Sequence, residues 1–167
     1  MPPADLPLAF NNVGAPFMAP IPAGAINRAP TEDHWHLSLS HTHLLIACAL
    51  APFPIGVDIE PIGRVVHIDD VARRMFHPTE ADEIALLSGD EKKLRFTQYW
   101  TLREAFYKAS GMSLPDMKKG VVFHINDSGL PKIMFLTPDP RPETPNPWQF
   151  SLSRPIPDHV MAVAVCS

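Results

Sequence analysis

Proline is the residue that most limits how this chain can fold. There are 20 among 167 residues, about 12%, against a usual level of about 5%. Each proline removes a backbone donor and is disfavoured inside helices, so their distribution partitions the chain. Seven fall in the first 30 residues and eight between Pro131 and Pro157, whereas Ile62 to Leu114 holds Pro78 alone. That sparse block is where helices can form. The first 30 residues carry Leu6, Leu8, Phe10, Phe17, Met18 and Ile21 without helical or strand periodicity. They are expected to be a proline-rich extended arm, followed by a single domain over residues 31–167. With 46% apolar and 19% charged residues, the chain has ample material for one core, unlike a disordered chain.

His34 to Ser40 alternates, with Trp35, Leu37 and Leu39 on one face, the pattern of a strand. Leu44 to Leu50 reads as a second strand, joined to the first through His41-Thr42-His43, and Ile55 to Glu60 as a third. Helices are predicted over Asp69–Phe76, over Pro78–Leu87 with proline in its first turn, and over Glu91–Ser110. The last stops at Gly111, suited to a left-handed C-terminal position. Val121–Ile125, Lys132–Leu136, Trp148–Leu152 and His159–Val165 read as four further strands. Strands, helices, then strands imply an α+β domain with an antiparallel sheet packed against helices.

Several function classes are disfavoured. Lys and Arg total 14 against 18 Asp and Glu, a net charge of −4, a poor basis for general nucleic-acid binding. The longest apolar run, Leu44 to Val57, is interrupted by Pro52, Pro54 and Gly56 and is too short to span a bilayer. The N-terminus lacks a basic region leading into an apolar stretch. Cys48 and Cys166 have no paired spacing and fit reduced core thiols. A cytoplasmic protein with no membrane association is expected.

Two places carry chemistry. In the third strand Ile55, Val57 and Ile59 point one way and Asp58 and Glu60 the other. Adjacent carboxylates repel unless something positive lies between them, such as Mg²⁺; a solvated strand face is the alternative. On the long helix Trp100, Glu104 and Lys108 are spaced by four, with Arg103 beside them. Glu104 and Lys108 taken alone make an ordinary helix ion pair. Together the two places supply three carboxylates and two cations, a set suited to a metal-bound phosphate ester.

Gly56-Val57-Asp58-Ile59-Glu60 and, some forty residues on, Trp100-Thr101-Leu102-Arg103-Glu104-Ala105-Phe106-Tyr107-Lys108 resemble the signature of the 4′-phosphopantetheinyl transferases. Leu37-Ser38-Leu39-Ser40-His41-Thr42 is similar to the Ser-His stretch that precedes that signature in the Sfp-type branch. The resemblance implies transfer of the phosphopantetheine arm of coenzyme A to a serine of an acyl or peptidyl carrier protein, releasing adenosine 3′,5′-bisphosphate. It implies Asp58, Glu60 and Glu104 as Mg²⁺ ligands, Glu104 also as the base, and Lys108 and Arg103 as cations at the phosphates. Ser40, His41 and, by a looser match, Arg28 are implied on the adenosine side. Arg103 stands where the family has lysine. The region before the Ser-His stretch is shorter than the first lobe of the Sfp-type branch, which favours a homo-oligomer. A shortened relative that binds coenzyme A or a carrier without transfer, and an unrelated metal phosphohydrolase, are the competing readings.

Other residues have ordinary structural explanations. His34 and His36 share a strand face, but nothing supplies two further zinc ligands. His77 reads as a surface or capping residue. Trp35 and Trp148 read as core aromatics, and Phe76, Phe96, Tyr99 and Phe106 as helix packing. By analogy with the family, Val71, Met75 and Phe76, flanked by Arg73 and Arg74, are candidates to meet an acidic carrier helix.

Overall fold

The computed structural model describes residues 35–111, 120–126, 128–135 and 148–166. The arm expected over residues 1–30, with Arg28, lies outside them, as does His34. Ten elements follow in order: β1 (His36–His41), β2 (Ile46–Ala51), β3 (Ile55–Pro61), α1 (Ile68–Met75), α2 (Pro78–Ala85), α3 (Gly89–Ser110), β4 (Val121–Ile125), β5 (Pro131–Phe135), β6 (Trp148–Ser153) and β7 (His159–Cys166). The strand–helix–strand order is as expected. The sheet is divided into three antiparallel pieces: β1–β2, β3–β7–β6 and β4–β5. No helix among the described residues is long and apolar enough to cross a membrane.

Local chemistry explains the helix boundaries. His77 caps α2 by accepting the Thr79 N–H, while the Glu80 carboxylate accepts the His77 N–H at 2.9 Å. This reciprocal arrangement satisfies two donors that a helix start leaves open. Helix α3 ends at Gly111 with φ +69°, its N–H donating to the Tyr107 carbonyl, a conformation glycine adopts without steric cost.

Strand β3 is covered on both faces. Val57 and Ile59 join Ala47 and Met161 in a small core beneath β2. Gly56 and Asp58 face α3, paired in register with Ala164 and Ala162 of β7. The small residues on this face let α3 settle against β3 and β7, and most of the larger core forms around it. Phe76, Phe96, Tyr99 and Phe106 are all buried there as expected, and Trp148 packs edge-on to Phe106 with ring centroids 4.7 Å apart.

Strand β1 reverses its expected orientation. Trp35, Leu37 and Leu39 are exposed, Trp35 to 64%, while Ser38 and Ser40 are buried. The reason is the open edge of β3. Its Val57 and Ile59 N–H groups donate to the hydroxyls of Ser38 at 3.0 Å and Ser40 at 3.2 Å. Buried backbone donors require acceptors, and the serine face supplies them. With β1 turned this way, Trp35 is not a core aromatic. Cys48 is exposed and Cys166 half-buried, both free, so neither is a fully buried core thiol.

Candidate active site

Strand β3 and helix α3 meet at the two sequence features singled out above. Asp58 is buried, and its Oδ1 accepts hydrogen bonds from the Ser40 hydroxyl and the Lys108 ammonium, each at 2.8 Å. Lys108 also donates to the Val57 carbonyl at 3.0 Å, tying the end of α3 to β3. The other oxygen, Asp58 Oδ2, is buried without a hydrogen-bond partner. Such an atom is costly unless another group meets it.

Glu60, two residues on, accepts from Arg64 Nη1 through both carboxylate oxygens, at 2.8 and 3.1 Å. Glu104 presents its carboxylate from α3, half-buried near both. Burial, then the charge of Asp58, pushes its proton affinity up, and Glu60 adds to this while Lys108 opposes it. Glu60, Arg64 and Glu104 line a pocket of about 330 Å³ whose other walls include Val65, Phe96 and Trp100. One side of the pocket is therefore acidic and another aromatic.

The donor set is all carboxylate oxygen, which suits a hard divalent cation such as Mg²⁺. The unpartnered Asp58 Oδ2 fits the same requirement. Among the described residues, however, no three His, Cys, Asp or Glu side chains are disposed to hold a metal ion as they stand. The chain's own cations, Lys108 and Arg64, occupy Asp58 and Glu60 instead.

The structure brings Asp58, Glu60, Glu104 and Lys108 together, with His41 exposed at the end of β1. It places two other expected residues differently. The Ser40 hydroxyl is turned inward onto Asp58 and the Ile59 N–H rather than outward to a ligand. Arg103 is 1% exposed and pairs with Glu80, also 1% exposed. Its guanidinium lies between the rings of Phe76 and Phe123, 5.3 and 5.6 Å from their centroids. The expected phosphate contact is replaced by a core clamp, because adjacent helix positions point about 100° apart and 103 faces inward. Glu80 completes the clamp by accepting the Phe123 N–H at 2.7 Å. Breaking a buried pair strands its partner's charge. Arg103→Ala is expected to lower stability by about 3–5 kcal/mol, and Arg103→Lys by much less, in urea unfolding. Equal midpoints for Arg103→Ala and the parent would refute the clamp.

Sequence reasoning missed Ser38, Glu80 and Arg64. Ser38 and Ser40 alternate with apolar residues, and Arg64 stands four positions from Glu60, but Glu80 gave no local signal. Phe76 is fully buried, so it is removed from the expected docking surface. His36 is exposed on β1.

The fold and site together define an α+β protein whose strand β3 sets an acidic pair, Asp58 and Glu60, beside the Glu104 and Lys108 face of α3. The sequence model of the 4′-phosphopantetheinyl transferase superfamily matches residues 54–164, and the chain belongs to this superfamily. A 4′-phosphopantetheinyl transferase of Bacillus subtilis is 30% identical over 117 residues, covering 68% of this chain and 46% of the relative. The Sfp protein of B. subtilis is 33% identical over 82 residues, covering 48% and 35% respectively. The chain thus spans about half the length or less of these curated relatives. A holo-(acyl-carrier-protein) synthase of Bacillus anthracis, solved in complex with CoA (3′,5′-ADP), superimposes with a TM-score of 0.53 at 19% identity. It covers 68% of this chain and 94% of its own. The Neisseria meningitidis synthase gives a TM-score of 0.52 at 20% identity, covering 68% and 97%. These two likenesses show the fold.

Proposed function

We propose that this chain is a Mg²⁺-dependent transferase that moves the 4′-phosphopantetheine arm of coenzyme A to a serine of an acyl or peptidyl carrier protein. The observation that carries this reading is the meeting of Asp58 and Glu60 with Glu104 and Lys108, in the family's order, beside an unpartnered Asp58 oxygen. Asp58, Glu60 and Glu104 would hold the ion, which would supply positive charge to offset that of the pyrophosphate. The serine oxygen forms a bond to the phosphorus that carries the pantetheine arm. The bond from that phosphorus to the bridging oxygen breaks, and adenosine 3′,5′-bisphosphate leaves with the electron pair. Glu104 takes the serine proton, a role favoured by a carboxyl whose proton affinity is raised by burial. Lys108, whose side chain is 30% exposed, is positioned by Asp58 to stabilise charge on the phosphates.

His41 serves the adenosine side, and Ser40 acts through Asp58. Arg73 and Arg74 are exposed on α1 beside the half-buried Val71 and Met75. They suit an acidic carrier helix, for which complementary charge speeds encounter. Intact mass of an apo carrier protein, incubated with the chain, coenzyme A and Mg²⁺, tests the proposal. A gain of one phosphopantetheine group, abolished by EDTA, is the expected result. Thermal stabilisation by coenzyme A with no gain across fatty-acid and peptidyl carriers would replace transfer with binding alone. Cleavage of a generic phosphodiester without any carrier would replace it with phosphohydrolysis.

A further inference from the structure

We propose that Arg64 is an internal counter-cation that latches Glu60, so that a divalent ion must displace Arg64 before Glu60 can join the site. The inference rests on the metal-site reading above and extends it to a residue outside the expected ligand set. Glu60 is mostly sheltered, with 17% of its side chain exposed, whereas Arg64 reaches in from the rim with 68% exposed. A single guanidinium nitrogen of Arg64 engages both Glu60 oxygens.

The backbone makes the contact local. After β3 the chain turns at Gly63, whose φ of +83° is a conformation open chiefly to glycine. Residue 64 is thereby brought back over residue 60. Arg64 and Glu60 line the same pocket as Glu104, so the latch lies at the entrance to the acidic cluster rather than on a remote surface.

Two further observations point to competition rather than support. Asp58 Oδ2 is buried and unpartnered, yet no three candidate ligands among the described residues form a set. Glu60 paired with Arg64 is a group of the right chemistry held by the wrong cation. Because Arg64 is largely solvated, its pair with Glu60 is weak and screened by salt. A divalent ion with several carboxylate ligands can displace it. The apparent metal affinity is then reduced by the fraction of molecules in which the latch is closed.

Titration of Mn²⁺ into the whole chain, followed by the electron paramagnetic resonance of free Mn²⁺ without coenzyme A or carrier, tests the latch. Arg64→Gln is expected to bind Mn²⁺ about three- to sevenfold tighter than the parent at low salt, the gain shrinking as salt rises. Arg74→Gln removes the same charge from an exposed position on α1 and is expected to change affinity much less. Equal or weaker binding by Arg64→Gln overturns the latch and leaves the metal site standing. An equal gain in Arg74→Gln reduces the effect to net charge and also overturns it. Absence of binding by both the parent and Arg64→Gln overturns the latch together with the metal reading.

Discussion

Substitution of Gly56 by alanine is expected to cost the domain about 3 kcal/mol or more and to dismantle the acidic site with it. A methyl group at this position would overlap the carbonyl oxygen of Ala105 and lie 2.7 Å from the nitrogen of Ala109. Both are backbone atoms of α3, so no side-chain rotation relieves the overlap. The helix as a unit must move away from β3 or the strand must buckle. Either movement lengthens the Lys108 bonds to Asp58 and the Val57 carbonyl and withdraws Glu104 from Asp58. Urea unfolding should show a large fall in midpoint, and any folded fraction should bind Mn²⁺ more weakly than the parent. A midpoint matching the parent would mean that α3 does not approach β3 this closely.

The second large effect concerns chemistry rather than packing. Asp58→Asn keeps the volume of the side chain and removes its charge. If Asp58 is the proposed metal ligand, losing several kcal/mol of transition-state stabilisation corresponds to about a thousandfold lower rate of the proposed transfer. Mn²⁺ affinity is expected to fall in parallel. The fold should persist, because Lys108 is partly solvated and Ser40 retains an amide partner. Circular dichroism and the unfolding midpoint separate the two effects. Transfer and metal binding at parental levels in a folded Asp58→Asn protein would remove Asp58 from the site. Glu104→Gln should behave alike, with the difference that it also removes the proposed base.

Much of this architecture was legible in the sequence because it depends on neighbours a few residues apart. The proline map located the helical block, Gly111 marked the end of α3, and the alternation in β3 placed Asp58 and Glu60 opposite Val57 and Ile59. The spacing of four between Trp100, Glu104 and Lys108 put Glu104 and Lys108 on one helix face. The same local pattern misled in β1. Trp35, Leu37 and Leu39 form an apolar stripe, but that stripe is exposed. The buried face follows the hydrogen bonding, since the Val57 and Ile59 N–H groups of β3 donate to the hydroxyls of Ser38 and Ser40.

Arg103 shows the same limit at the candidate site. Beside Glu104 in sequence, it reads as a second cation for phosphate, yet it is buried against Glu80, 23 residues earlier. Lys108 reaches Asp58 across 50 residues. Periodicity, proline and glycine determine which segments become strands and helices and which side chains share a face, because torsional sterics and backbone hydrogen bonding act over one or two turns. Tertiary packing alone decided which face is buried and which charges pair. Those outcomes depend on desolvation and on partners brought together only by the path of the whole chain.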